Sequence, residues 1–193
     1  MRKRLTKEEL KDLYNDSWIY TMLLSTLIIL IESLKTYTFG LFDVELTYSL
    51  LLLPLVFLIT NYMNKKFGFF RTIRAIAIST IAMIAFVAIM YFVIGGKLNF
   101  QLISGQVFGY IASQIVNLFI YSFILNNTST PWPLVLINYI FALIVFYLVY
   151  TVIQADIIIK VTFWKGYFIT LAIQLIECII LTIIDKRIKK GLY

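Results

Sequence analysis

The sequence predicts an all-α, polytopic integral membrane protein with six transmembrane helices and both termini in the cytoplasm. Three observations predict this class. Hydrophobic residues make up 61% of the 193 residues and charged residues 14%, whereas a soluble domain averages about a half and a quarter. The chain contains six apolar segments of about 20 residues, the length that about 30 Å of hydrocarbon requires. Most lysines and arginines fall in alternate connecting segments.

The first predicted element is a cytoplasmic amphipathic segment at residues 1–17, in which Thr6 and Glu9 have capping-box spacing. A six-helix transmembrane domain follows at residues 18–184, and a basic cytoplasmic tail at residues 185–193. A turn with two prolines separates the fourth helix from the fifth, because proline cannot continue a helix. The six helices are predicted at about residues 18–35, 46–63, 72–94, 103–125, 134–153 and 164–184.

The distribution of positive charges predicts the orientation of the chain in the membrane. Residues 1–17, 64–74, 126–133 and 185–193 hold 13 of the 17 lysines and arginines, and the other connecting loops hold four. Cytoplasmic loops carry this excess in membrane proteins, so we predict that these four segments are cytoplasmic. The same distribution accounts for the net charge of +7 without a nucleic acid partner. We expect a multi-pass protein of a bacterial cytoplasmic (plasma) membrane, surrounded by membrane lipid.

The composition argues against an enzyme. The chain has no histidine, which removes imidazole proton relays, His-based triads and most zinc sites. Its single cysteine, Cys178, lies in an apolar run, so no disulfide framework is expected. The sequence has no metal-ligand spacing, no nucleophile beside a base and no glycine-rich phosphate loop. We therefore expect neither catalysis nor a bound metal or cofactor.

Polar side chains in the fourth segment lie on one helix face. They recur every three or four residues, with Gln114 and small residues beside them, and are Gln106, Tyr110, Ser113, Asn117 and Tyr121. Polar groups are costly against lipid and usually face the interior of a bundle. Two interpretations stay open: a polar wall of a central site, or helix packing through small residues and interhelical amide hydrogen bonds.

Two acidic residues and two asparagines extend this candidate site. Glu177 lies well inside the sixth segment, where an ionised carboxylate costs about 3 kcal/mol on insertion scales, so it must be paired, protonated or exposed to a water-filled cavity. Glu177 and Glu32 are the candidates for proton or ion coupling, although Glu32 could instead pair with Lys35. Asn61 is near the end of the second segment. Asn138 opens the fifth, where it could bind substrate or cap the helix.

Three short motifs occur in the order and spacing of one transporter family. The run LLLPLVFLITN with Lys66–Phe67–Gly68 after it is similar to a second-span signature. SGQVFGYIASQIVN, at residues 104–117, is similar to a fourth-span pattern, and WPLVLINY, at residues 132–139, to a fifth-span entry. Together they resemble the queuosine precursor transporter family (VUT family, formerly a domain of unknown function), over about residues 30–150.

The resemblance implies a queuosine precursor or a related 7-deazapurine base as cargo. Amide side chains can meet a purine edge with two hydrogen bonds, and Tyr110 or Tyr121 could stack on the ring. The resemblance is to a divergent member of the family, because Asn61, Lys65 and Asn117 stand where the family has acidic residues. If those acids bind substrate or protons, this chain carries a different substrate or couples differently.

We therefore predict a transporter for a small polar heterocycle. Its expected substrate-binding residues are Asn61, Gln106, Tyr110, Ser113, Gln114, Asn117, Asn138 and Glu177. One alternative is the substrate-binding subunit of an energy-coupling-factor vitamin transporter, which works with ATPase subunits. The Ala-x-x-x-Ala docking pattern of such subunits is absent from the first segment. A non-transporting membrane scaffold is the other alternative, and the sequence is also compatible with a homo-oligomer.

Overall fold

The computed structural model describes residues 7–34, 37–41, 44–94, 100–127 and 132–153, together with seven positions between 168 and 179. Within these ranges the protein is helical apart from one short hairpin, so the all-α prediction is confirmed there. The elements are α1 (Lys7–Ser33), β1 (Thr38–Leu41), β2 (Val44–Thr47), α2 (Ser49–Phe67), α3 (Phe69–Ile94), α4 (Phe100–Asn127) and α5 (Trp132–Ile153).

Each of the first five predicted transmembrane segments contains a helix. The largest difference is in α1, which begins at Lys7 and runs through to Ser33 without a break. The amphipathic segment predicted for residues 1–17 is therefore, from Lys7 on, continuous with the first apolar segment. No glycine or proline interrupts this stretch. The sixth predicted helix, with Glu177, and the basic tail lie largely outside the described residues.

A β-hairpin stands where the sequence predicts a loop between the first two helices. Its strands pair antiparallel, with Thr38 opposite Thr47 and Leu41 opposite Val44. The backbone N–H of Tyr48 extends the pairing by donating to the carbonyl of Tyr37 at 3.1 Å. Threonine and valine favour strands, but runs of four residues are too short for periodicity to distinguish a strand from a loop.

α2 and α3 meet at a single residue, Gly68. Its backbone angles, φ 87° and ψ 170°, lie in a region that is essentially reserved for glycine. The Gly68 N–H donates to the carbonyl of Asn64 at 3.0 Å, and the Thr72 hydroxyl donates to the Gly68 carbonyl at 3.0 Å. The basic segment predicted at residues 64–74 is therefore the end of one helix and the start of the next.

Replacing Gly68 by alanine is expected to lower the free energy of unfolding by about 1–3 kcal/mol, because the added Cβ strains this backbone conformation. No described residue lies within 4 Å of a Cβ built at this position, so the expected loss comes from backbone strain. Thermal unfolding of the purified protein in a neutral detergent measures it. Gly40→Ala is the control, since Gly40 also has open space around it but lies in a strand. Equal melting temperatures for the two variants would contradict the prediction.

The described helices form two groups, which α2 joins and which also meet directly through α3 and α4. α1 packs against α2 and α3, and α4 packs against α5 and α2. One buried apolar cluster includes Leu24 of α1 and Val56 of α2. A second joins Phe57 of α2 to Tyr139 and Leu143 of α5. α2 contributes to both clusters, so it is the central helix of the described part.

Three helices, α1, α3 and α4, are long enough and apolar enough to cross a membrane. Their outward faces are apolar too: Phe70, Phe92 and Val93 of α3 are 85%, 81% and 76% exposed. Soluble monomers rarely expose large contiguous apolar patches, so these features are those of a membrane-embedded protein. α2 falls short of this test because polar residues and two lysines occupy its last two turns.

Candidate functional site

A cluster of polar side chains lies where α2, α4 and α5 meet. Asn117 of α4 is its centre. Its Nδ2 donates to Thr60 Oγ1 at 3.1 Å and to Asn61 Oδ1 at 2.9 Å, and its Oδ1 accepts from Asn138 Nδ2 at 2.7 Å. Gln114 precedes Asn117 by three residues on the same helix. We call Thr60, Asn61, Gln114, Asn117 and Asn138 the amide cluster.

The amide cluster is closed to solvent, yet several of its polar atoms are unpaired. Gln114, Asn117 and Asn138 are 0% exposed and Asn61 is 3% exposed. Within the part of the chain that the structure describes, no hydrogen bond is made by Asn61 Nδ2, Asn138 Oδ1 or the Oε1 and Nε2 of Gln114. Each unpaired buried group costs about 1–3 kcal/mol. The cluster therefore has donors and acceptors to offer a further molecule.

All five members of the amide cluster are neutral. Four are amides, and the fifth, Thr60, has a hydroxyl that approaches the carbonyls of Val56 and Phe57, each at 3.0 Å. The hydroxyl proton is donated to a carbonyl within α2, so Thr60 Oγ1 is the acceptor of the hydrogen bond from Asn117. A buried charge needs an opposite charge beside it, and these five side chains supply none. The chemistry of the cluster therefore suits a neutral ligand with paired donors and acceptors.

The amide cluster lies nearer to the end of the bundle that contains Lys65, Lys66 and the α2–α3 turn than to the opposite end. Asn61 is six residues before the end of α2 and Asn138 six residues after the start of α5, which places each about 9 Å along the axis from that helix end. A second link between α2 and α4 lies between the cluster and the end of α2, where Asn64 Nδ2 donates to Ser122 Oγ at 2.8 Å.

Two predicted residues of the fourth segment make hydrogen bonds outside the amide cluster. The Tyr110 hydroxyl lies 3.0 Å from Ser79 Oγ of α3, and both residues are buried. Ser113 Oγ donates to the Tyr110 carbonyl at 2.8 Å within α4. Close to them, a Cβ added at Gly109 would lie 3.1 Å from the Phe146 carbonyl oxygen of α5. The packing interpretation therefore holds for Tyr110 and Gly109, and the substrate-site interpretation of the amide cluster stays a prediction.

The remaining predicted site residues lie apart from the amide cluster or outside the described residues. Gln106 is half-buried and precedes Asn117 by eleven residues, about 16 Å along the helix. Tyr121 is buried one turn beyond Asn117. Glu32 lies half-buried at the end of α1, a helix that contributes nothing to the cluster. Glu177 is outside the described residues.

The structure decides one open point and adds residues that were not among the predicted site residues. α5 begins at Trp132, so Asn138 lies inside the helix and does not cap it. Thr60 and Asn64 belong to the α2–α4 contact although neither was predicted as a site residue. The sequence contains a signal for them: the spacing of Thr60, Asn61 and Asn64 places the three side chains on one face of a helix.

Comparisons with known proteins give no identification. No family model matches the chain, and no curated protein or solved structure matches it either. The motifs that resemble the queuosine precursor transporter family therefore stay an expectation from the sequence. The function has to be argued from the amide cluster and from the membrane character of the helices.

Proposed function

We propose that this protein is a multi-pass transporter with six membrane-spanning helices and cytoplasmic termini, and that it carries a small, neutral, polar heterocycle across a bacterial cytoplasmic membrane. The observation that carries the proposal is the amide cluster, buried between helices and incompletely hydrogen-bonded. Amides that only hold helices together are expected to bond across the interface. Gln114 makes no such bond within the described residues, so its amide is available to a substrate.

The unpaired atoms favour a planar heterocycle with alternating donors and acceptors. Gln114 offers a donor and an acceptor on one group, the combination with which an amide recognises a purine edge. Asn61 Nδ2 adds a donor and Asn138 Oδ1 an acceptor. The neutral cluster disfavours a charged cargo. A queuosine precursor or related 7-deazapurine base fits these requirements.

The resemblance to the queuosine precursor transporter family supports the same site. Asn61 and Asn117 stand at two of the positions where that family has acids, and here their amides are 2.9 Å apart. Two positions that are far apart in the sequence thus belong to one contact. With amides at both positions, the hydrogen bonds of the cluster do not require a titrating proton. Proton or ion coupling of transport would then depend on an acidic residue outside the amide cluster. Glu177 and Glu32 remain the candidates.

Transport requires the amide cluster to open. Its central residues have no exposure to solvent, so a substrate can enter only when α4 and α5 move relative to α2. α2 and the direct contact between α3 and α4 link the α4–α5 pair to the α1–α3 pair, and relative motion of such groups around a fixed site is how alternating access works. The closed cluster corresponds to an occluded state in this scheme.

The test is ligand binding to the purified protein in a neutral detergent, read as a rise in Tm. The ligands are preQ0, preQ1, queuine, guanine and a set of vitamins. We expect a deazapurine to raise the Tm of the wild type and of Ser33→Ala, the control, whose hydroxyl donates to the Ile29 carbonyl within α1, a helix outside the amide cluster. Gln114→Met should abolish the ligand-induced rise. Without ligand its Tm should equal or exceed that of the wild type, because two unpaired buried atoms are removed.

Three other results of this binding test would favour a different site or a different function. A rise that persists in Gln114→Met would remove the amide cluster from the binding site. A rise with a vitamin, together with co-purifying ATPase subunits, would identify an energy-coupling-factor substrate-binding subunit. No rise with any ligand would favour a membrane scaffold.

A further inference from the structure

A second polar site lies between α1 and α3, on helices other than those that form the amide cluster. It is a partly open pocket of about 50 Å³ lined by Tyr14, Ser17, Trp18, Thr21, Arg71, Arg74 and Ile78. A pocket of this size holds a few water-sized groups. Two of its seven side chains are guanidinium ions, and none of the seven is acidic.

Arg71 lacks a partner for one of its buried donors. Its Nη1 is buried and has no hydrogen bond within the described residues, although an unpaired buried donor on a charged group is especially costly. Asp16, the acidic residue next to the pocket on α1, is bound by Lys66 Nζ at 2.8 Å. The hydroxyls of Ser17 and Thr21 donate to backbone carbonyls of their own helix, each at 2.8 Å. The pocket therefore holds positive charge that its lining does not neutralise.

The second arginine is oriented by an aromatic ring. The Arg74 guanidinium carbon lies 5.2 Å from the centre of the Trp18 ring, within the range of a cation–π contact. Arg74 also lines the pocket, so its N–H groups can donate to an anion bound there. Arginine pairs of this kind bind phosphate through parallel, charge-assisted hydrogen bonds.

We infer that this pocket binds a phosphate group, which Arg71 and Arg74 hold. The pocket lies in the region of Lys66 and the α2–α3 turn, the end of the bundle predicted to face the cytoplasm. Trp18 and Tyr14 are residues that favour a membrane–water interface, and basic pockets at this depth meet lipid headgroups. Two sources supply the same chemistry, an anionic phospholipid headgroup and free phosphate in solution.

The experiment compares both sources on the full-length protein in neutral detergent micelles. Dioleoylphosphatidylglycerol, dioleoylphosphatidylcholine or inorganic phosphate is titrated, and Tm and apparent affinity are measured. A rise with phosphatidylglycerol that exceeds the rise with phosphatidylcholine assigns a lipid headgroup. A rise with inorganic phosphate alone assigns a soluble phosphate. Either supports the proposal, and no rise with any of the three overturns it.

Variants separate this site from general charge attraction. Arg71→Gln is expected to weaken binding at least about tenfold, because a charge-assisted hydrogen bond is lost. Thr21→Leu, which fills the pocket and leaves both arginines in place, should weaken it as well. The control, Lys65→Gln, removes an exposed charge that does not line the pocket and should leave the affinity within about twofold of the wild type. Unchanged binding in both pocket variants, or equal losses in Arg71→Gln and Lys65→Gln, would overturn the proposal.

Discussion

Replacing Asn117 by leucine is expected to lower the free energy of unfolding by about 2–5 kcal/mol, since three interhelical hydrogen bonds disappear at once. Asn117 binds Thr60, Asn61 and Asn138, and it is the only described link between the asparagines of α2 and α5. Its loss leaves Asn61 and Asn138 buried with no hydrogen-bond partner among the described residues. For a chain of this length the fall in Tm is roughly 10 °C, measured by thermal unfolding in a neutral detergent.

The triple variant Asn61→Leu, Asn117→Leu, Asn138→Leu tests the reason for that loss. Removing all partners of a buried hydrogen bond together leaves no orphaned group and can be nearly neutral. We therefore expect the triple variant to recover most of the stability that Asn117→Leu loses, and to bind no substrate. A triple variant less stable than the single variant would mean that packing volume, and not hydrogen bonding, sets the stability here.

The helices could be predicted because their signals are local. Long apolar stretches, Gly68 and the prolines at the start of α5 fix where helices begin and end, to within a few residues except in α1. α1 differs because helix propensity is continuous from Lys7 onward, whereas the prediction placed a boundary where polarity changes. Polarity marks where a membrane surface lies along a helix, and a helix does not need to end there. The hairpin of residues 38–47 was missed since its stability depends on pairing between strands.

The candidate site could be predicted in part for a related reason. Spacing places Tyr110, Ser113 and Asn117 on one face of α4, but it does not say which neighbouring helix each residue meets. The wide polar face contacts α3 through Tyr110 and α2 and α5 through Asn117. That the partners of Asn117 come from α2 and α5 follows from tertiary packing, which the spacing within α4 does not reveal. The role of the sixth segment stays a prediction.

The phosphate pocket illustrates what a charge count leaves out. The sequence predicts that Arg71 and Arg74 mark the cytoplasmic side, and that explanation uses only their sign. The structure adds that Arg71 has a buried nitrogen with no hydrogen bond among the described residues, and that Arg74 lies over Trp18. The membrane orientation requires neither feature, because exposed lysines at these positions would determine it equally well. Such departures from the simplest explanation are where a binding function is best sought.

Replacing Gly109 by leucine is expected to separate α4 from α5 and to cost about 3 kcal/mol or more, through overpacking and through a lengthened hydrogen bond. A Cβ at this position would lie 3.1 Å from the Phe146 carbonyl oxygen and 3.3 Å from a carbon of its ring. The oxygen belongs to the backbone and cannot rotate away, so the helices must move. Small residues permit such close approach between membrane helices.

The separation should also reach the amide cluster. Gly109 faces Phe146 two turns along the same interface from the contact between Asn117 and Asn138, which is 2.7 Å long. A shift of half an ångström or more there weakens the bond, as donor–acceptor distances beyond about 3.2 Å lie outside the normal range. Gly109→Leu should therefore lose both stability and substrate binding, and Gly109→Ala should lose less of each. The control is Gly40→Leu, where the same substitution meets open space. If Gly109→Leu unfolds at the temperature of that control, the α4–α5 contact does not set the geometry of the site.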